Sequence, residues 1–167
     1  MDNYMKLEIA AKSINEGFAR SAVAAFALPL NPSLSELSDI KTAVSEAVTN
    51  AIVHAYAKKR EEDKIVIECV AVEAKEGEDG VLHIKITDYG CGIDDVDKAL
   101  APFYTTLANE ERSGMGFTIM QAFSDYFSLQ SEKGKGTTVE MVKRIKTEGL
   151  FTENASAINR EKDRLNA

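Results

Sequence analysis

The sequence predicts an α+β fold, with a mixed, mainly antiparallel sheet in one layer and helices in the other. Three observations predict it. Five runs rich in β-branched, aromatic or alternating residues are short enough to be strands, at 4–10, 65–72, 81–87, 127–131 and 137–145. Between them lie segments whose apolar residues recur every three to four positions, the period of a helix with one buried face. At 167 residues, with 44% apolar and 28% charged residues, the chain suits one well-buried domain.

Taken in order, Tyr4 to Ala10 alternates as a first strand. Ser13 and Glu16 have the spacing of a capping box and open an apolar helix that runs to about Leu28. Asn31-Pro32 signals a turn, and Ser33 with Glu36 makes a second capping box, starting a helix expected to reach about Lys58. Lys59 to Asp63 is charged and loop-like. Ile65 to Val72 and Val81 to Thr87 form two strands about a Gly77 to Gly80 hairpin turn. Asp88 to Gly92 is a glycine-punctuated loop, Asp94 to Ala101 a short helix, and Pro102 to Ser113, without a clean period, a lid. Gly116 to Tyr126 is amphipathic and helical. Two last strands flank a Gly134-Lys135-Gly136 turn. Residues 1–145 form the expected domain, and the polar stretch 146–167 is expected to be a flexible tail.

Composition narrows the function classes. A net charge of −7 and a pI near 5.0, with no run of Lys and Arg, argue against direct nucleic-acid binding, so any link to transcription runs through a protein. No apolar stretch is long enough to cross a bilayer, and Met1-Asp2-Asn3-Tyr4 lacks the features of a signal peptide, which predicts a cytoplasmic protein. Cys69 and Cys91 form no Cys-x-x-Cys pair, and His54 and His83 add no metal-ligand spacing; free thiols and no zinc are expected.

The second helix carries the most informative pair. At about 100° per residue, Leu37, Ile40, Val44, Ala47, Val48, Ala51 and Ala55 form one apolar stripe, while Glu46 and Asn50 lie on the other side, one turn apart. A glutamate, ionised at neutral pH, supplies a base or a water-orienting group beside a reacting hydroxyl, and an asparagine oxygen is a hard ligand suited to Mg²⁺. Together they suggest phosphoryl transfer.

Two glycine segments extend this reading. In Asp88-Tyr89-Gly90-Cys91-Gly92, the carboxylate is able to accept a hydrogen bond from an exocyclic amine, while Gly90 and Gly92 let the backbone approach a ligand. Ser113-Gly114-Met115-Gly116-Phe117 opens a helix, whose free amides and positive dipole end suit phosphate. This second segment is not a Walker A loop, since no Gly-Lys-Ser/Thr ends it, nor a Rossmann fingerprint, since no strand runs into it.

The order of these elements carries a resemblance. Glu46…Asn50, Asp88-x-Gly-x-Gly, Gly114-x-Gly-Phe and Gly136-Thr137-Thr138 resemble, in sequence, the N, G1, G2 and GT boxes of the GHKL ATPases and kinases, over about residues 6–145. The resemblance implies the Bergerat ATP-binding fold. Phe18-Ala19-Arg20, the run from Ser45 to Ile52, Phe103-Tyr104-Thr105-Thr106 and Glu111 to Met120 look like the anti-sigma factors that control sporulation sigma-F. Such proteins, as the resemblance implies, bind a sigma factor as a homodimer, bind ATP or ADP with Mg²⁺, and phosphorylate a serine of an anti-anti-sigma partner. The same resemblance gives Glu46 as the catalytic residue, Asn50 as the Mg²⁺ ligand, Asp88 as the reader of adenine, and Arg20 as a partner-binding residue. Gly90 and Gly92 are implied nucleotide contacts, and Thr105, Thr106, Arg112, Ser113, Gly114, Met115 and Gly116 the phosphate cradle. Thr137 or Thr138 contacts the base, directly or through water.

Departures and rivals accompany this reading. Leu107-Ala108 stands where many relatives carry lysine then proline, so a lid lysine is missing, and Ala55 replaces a common glycine. The general-stress type of sigma antagonist shares fold and chemistry, and a nucleotide-gated binding module without catalysis is a rival of a different class. The catalytic part of a histidine kinase would need its phosphoacceptor in trans. The apolar faces of the first helix and strand suit a dimer interface or burial against the sheet equally well.

Overall fold

The structure, a computed structural model, describes residues 2–56, 60–75, 78–102 and 114–146. The lid expected over 102–113 lies, beyond Pro102, outside these residues, as does the tail after Lys146.

Five strands, β1 (Asn3–Ala10), β2 (Lys64–Val72), β3 (Gly80–Asp88), β4 (Tyr126–Glu132) and β5 (Gly136–Ile145), form one sheet in the order β1-β2-β3-β5-β4. Every pairing is antiparallel, so the mixed character expected of the sheet is absent among the described strands. The cause is the final hairpin. It enters with β5 against β3 and β4 outermost, reversing direction at each step.

The two faces of the sheet differ because side chains alternate along each strand. One face contributes Ile65, Ile67, Cys69, Leu82, Ile84, Ile86, Val139 and Met141 to the core. The other carries a row of opposite charges set by the register: Lys6 pairs with Glu68, Glu68 with Lys85, and Lys85 with Glu140 across four neighbouring strands. Ion pairs of 3.5 Å for Lys6–Glu68 and 3.9 Å for Lys85–Glu140 follow, each between an exposed lysine and a partly exposed glutamate and worth at most about 1 kcal/mol. Their main effect is to keep that face in water.

Helices α1 (Glu16–Ala27), α2 (Leu34–Asn50) and α4 (Gly116–Phe123) cover the apolar face, with α2 packed against both others; α3 (Val96–Ala99) is a single turn beside β4. The predicted stripe of α2 is the buried one: Ile40, Val44, Ala47 and Val48 are at most 3% exposed. Ser33 and Glu36 form the expected capping box, Ser33 Oγ accepting from the Glu36 amide at 3.2 Å and Glu36 Oε2 from the Ser33 amide at 2.8 Å.

Three element ends depart from expectation. Ser13 and Glu16 make no capping box; Ser13–Asn15 is a 3₁₀ turn, and the Glu16 carboxylate instead accepts from Ser45 and Arg20. A tertiary partner outcompetes the local one. The α-helical geometry of α2 ends at Asn50 and widens into a π-helical turn over Ala51–Ala55, while the expected end at Lys58 lies outside the described residues. Helix α4 stops at Phe123, because the Asp125 amide donates to Val142 O at 2.8 Å and starts β4 at Tyr126.

Candidate functional site

A cavity of about 660 Å³ opens between α2, the loop after β3, the start of α4 and β5. Its walls include Glu46, Asn50, Asp88, Gly92, Gly114, Met115, Gly116 and Thr137, eight of the residues singled out in the sequence.

Glu46 and Asn50 come from the polar side of α2, where the apolar stripe holds the opposite side against the sheet. The first residue of α4 is close to both. A Cβ built on Gly116 would stand 3.1 Å from Asn50 Nδ2, 3.1 Å from Glu46 Oε2 and 3.4 Å from Asn50 Oδ1. Thus the helix start that offers amides and the helix that offers the acid and amide meet at one glycine. The residue before α4, Met115, contributes no side-chain cap, and first-turn amides at such a helix start suit phosphate. Gly114 has φ +64°, a left-handed conformation that bends the chain into the helix.

Asp88 ends β3 and, at 6% exposed, is the one buried polar or charged residue among the described residues. Its Oδ1 accepts from the Gly90 amide at 3.0 Å and the Thr137 amide at 3.2 Å. Burial pushes its carboxyl above the ordinary value, and these two donors oppose that rise. No bond among the described residues goes to Oδ2, the oxygen left for a donor on a ligand.

The loop after Asp88 is held on several sides. The Cys91 amide donates to Ala55 O at 2.7 Å and its thiol to His54 O at 3.2 Å, so carbonyls at the open end of the π turn gain partners. Gly134 N donates to Cys91 O at 2.7 Å, and Ile93 N to Ser131 Oγ at 2.8 Å. A Cβ on Gly90 would meet Ala55 O at 2.0 Å, and one on Gly92 would meet Glu132 O at 2.1 Å. Gly90 therefore serves close backbone packing and does not itself line the cavity.

The two threonines separate. Thr137 lines the cavity and shares a 3.0 Å hydroxyl contact with Ser131, whereas the Thr138 hydroxyl lies 3.2 Å from that of Thr87 and is not part of the wall. Their parity was available in the sequence, since Thr137 alternates in phase with the core residues Val139 and Met141. Arg20 is not part of the cavity wall; it is exposed on α1 and bonded to Glu16 and Ser45. Thr105, Thr106, Arg112 and Ser113 lie outside the described residues, as does Leu107. Ser131 and Tyr56, which hold the site from behind, went unnoticed in the sequence because neither belongs to a motif.

The donor set fits Mg²⁺ only as a partner to phosphate. Among the described residues no three His, Cys, Asp or Glu side chains gather as a metal cage. Among the described residues, Asn50 offers one oxygen in a wall that also carries Glu46, Asp88, Asp94, Asp95 and Lys98. Mg²⁺ commonly takes one or two protein ligands and completes its shell with phosphate and water.

A cavity framed by a helix-borne acid and amide, a buried aspartate and a glycine-opened helix defines a nucleotide-binding module on an antiparallel sheet. The histidine kinase-like ATPase domain family matches residues 9–143, which implies ATP as the ligand. The chain is 51% identical over 147 residues to an anti-sigma F factor of Clostridium perfringens, across 88% of this chain and 100% of that protein. It is 52% identical over 144 residues to one of Clostridium botulinum, across 86% and 96%. The chain belongs to the histidine kinase-like ATPase domain family and, within it, to the family of the anti-sigma F factors. A solved structure of the RsbU and RsbW domains of a Mycobacterium tuberculosis protein shares the fold at a TM-score of 0.59 and 19% identity, across 86% of this chain and 32% of that one. Among the described residues no helix is long and apolar enough to cross a membrane.

Proposed function

We propose that the chain is a cytoplasmic anti-sigma factor of the sigma-F type that is also a protein serine kinase, with residues 1–145 as the ATP-binding kinase domain and 146–167 as a polar C-terminal tail. It binds its sigma factor as a homodimer and phosphorylates a serine of an anti-anti-sigma protein. The names of the relatives at about half identity support the first part. One observation carries the second: Glu46 and Asn50 flank the glycine start of α4, so that a base, a metal ligand and phosphate-binding amides converge.

In this reading the incoming serine hydroxyl gives its proton to Glu46 as its oxygen bonds to the γ-phosphorus of ATP; the bond to the bridging oxygen breaks, and ADP leaves. Asn50 would hold Mg²⁺, which when bound offsets charge on the phosphates. The amides that open α4, with Gly114, receive the phosphate oxygens, and Asp88 accepts a hydrogen bond from the adenine amine. Thr105, Thr106, Arg112 and Ser113 complete the phosphate contacts, and Arg20 belongs to the partner surface.

The deciding experiment is transfer of γ-phosphate from Mg·ATP to a purified candidate anti-anti-sigma protein, beside Glu46→Gln and Asn50→Ala. Transfer by the unsubstituted chain that is lost in both variants supports the assigned roles. ATP binding without any transfer would instead support the binding module, a reading favoured by Leu107 where relatives carry a lid lysine. Transfer to the partner of a general-stress sigma system alone would move the assignment to that type.

A further inference from the structure

Tyr56 follows the π turn and has no place in any of the four boxes. Its hydroxyl donates to Lys64 O, at the start of β2, at 2.5 Å and accepts from the Tyr89 amide at 3.1 Å. One oxygen thus ties three segments together: the end of the helix that carries Glu46 and Asn50, the first residue of β2, and the residue next to Asp88.

We infer that Tyr56 is a positioning residue for base recognition, its hydroxyl fixing the backbone from which the Asp88 carboxylate reaches the nucleotide. The inference rests on the adenine-nucleotide reading of the cavity. The other ties on this loop are made by its own aspartate or by backbone groups, including Gly90 N to Asp88, Cys91 N to Ala55 O and Gly134 N to Cys91 O. Farther along, the Ile93 amide is held by Ser131 Oγ, but at the residue next to Asp88 the tie from an outside side chain is the one Tyr56 makes to the Tyr89 amide. Burial, chiefly, together with the neighbouring Asp88 charge raises the Tyr56 phenol above its ordinary value despite the Tyr89 bond, so the hydroxyl keeps the proton it donates to Lys64 O. Losing this oxygen leaves the ring packed against the core but frees the Tyr89 peptide, and with it the aim of Asp88.

The test is binding of ATP and of GTP to the full chain and to Tyr56→Phe, by calorimetry. ATP affinity is expected to fall about 2- to 10-fold, the range for one lost hydrogen bond, with the preference for ATP over GTP narrowing by a similar factor. Unchanged affinity would overturn the inference. So would equal weakening toward both nucleotides, since that marks a merely structural role. Amide hydrogen exchange on the unsubstituted chain tests the same bond without a variant: slow exchange at Tyr89 supports it, and exchange at an unprotected rate overturns it. Failure of the unsubstituted chain to bind ATP would overturn the nucleotide reading itself, an outcome separate from the others.

Discussion

Gly116 stands against Asn50 with no room between them for one more carbon: a methyl group on the glycine would lie 3.1 Å from Nδ2, and as near to Glu46 Oε2. A close contact of this kind forces the neighbours aside by a few tenths of an ångström. Alanine at the first turn of α4 is a better helix former than glycine by up to about 1 kcal/mol, so Gly116→Ala should fold normally. Phosphoryl transfer should nonetheless fall at least about 10-fold, because small misplacements of reacting groups are costly. Thermal unfolding and transfer assays on the same preparation check both halves. A variant with full transfer would show that Glu46 and Asn50 do not need this spacing.

What the sequence revealed and what it hid divide along locality. The Ser33 and Glu36 capping box was legible because both partners lie within one turn, and the stripe of α2 because its period repeats. The matching Ser13 and Glu16 signal failed because Glu16 finds Ser45, 29 residues away, and no local rule sees that partner. The π turn after Asn50 was hidden for the same reason: carbonyls at its open end are taken by Cys91, from the loop after β3. Of the two candidate threonines, the strand alternation already favoured Thr137, and register with β3 supplies the rest by aligning its amide with Asp88.

Two glycines of the last hairpin should respond very differently to alanine. Both have positive φ, +77° at Gly134 and +101° at Gly136. Around a Cβ on Gly134 nothing lies within 4 Å, so the cost is the left-handed strain alone, about 1 kcal/mol. A Cβ on Gly136 would meet the backbone oxygen of Asp88 at 2.1 Å and Tyr89 Cα at 2.7 Å, and backbone cannot step aside. Gly136→Ala should therefore lose about 3 kcal/mol or more and distort the Asp88 loop. Denaturant unfolding of the two variants measures the gap; equal losses would contradict this packing.

The two cysteines should differ in reactivity. Cys69 is fully buried between strands, and desolvation pushes its thiol up to about 12, so a neutral-pH thiol reagent should leave it untouched until the chain unfolds. Cys91 is exposed and lines the cavity. Mass spectrometry after brief alkylation should find one label, on Cys91, and ATP at saturating concentration should slow its appearance. Labelling of Cys69 in the native protein would refute the burial of β2.

The buried carboxylate of Asp88 works against the stability of the fold. Burial raises its carboxyl above the unfolded value, so the folded chain binds its proton more tightly than the unfolded chain does. The sign follows: this contribution to stability is complete below the unfolded value and is lost as pH rises through the raised folded value. At neutral pH the ionised group is thus a net burden on the fold that the Gly90 and Thr137 amides only partly offset. Asp88→Asn keeps an oxygen for those two donors and removes the charge. The variant should unfold at the same or a higher temperature than the parent at pH 7, with the difference shrinking on acidification. Its ATP affinity should fall at least about 10-fold, since a charged acceptor for the adenine amine is gone. Calorimetric binding and melting curves at two pH values measure both, and a variant that binds ATP as tightly as the parent would remove Asp88 from base recognition.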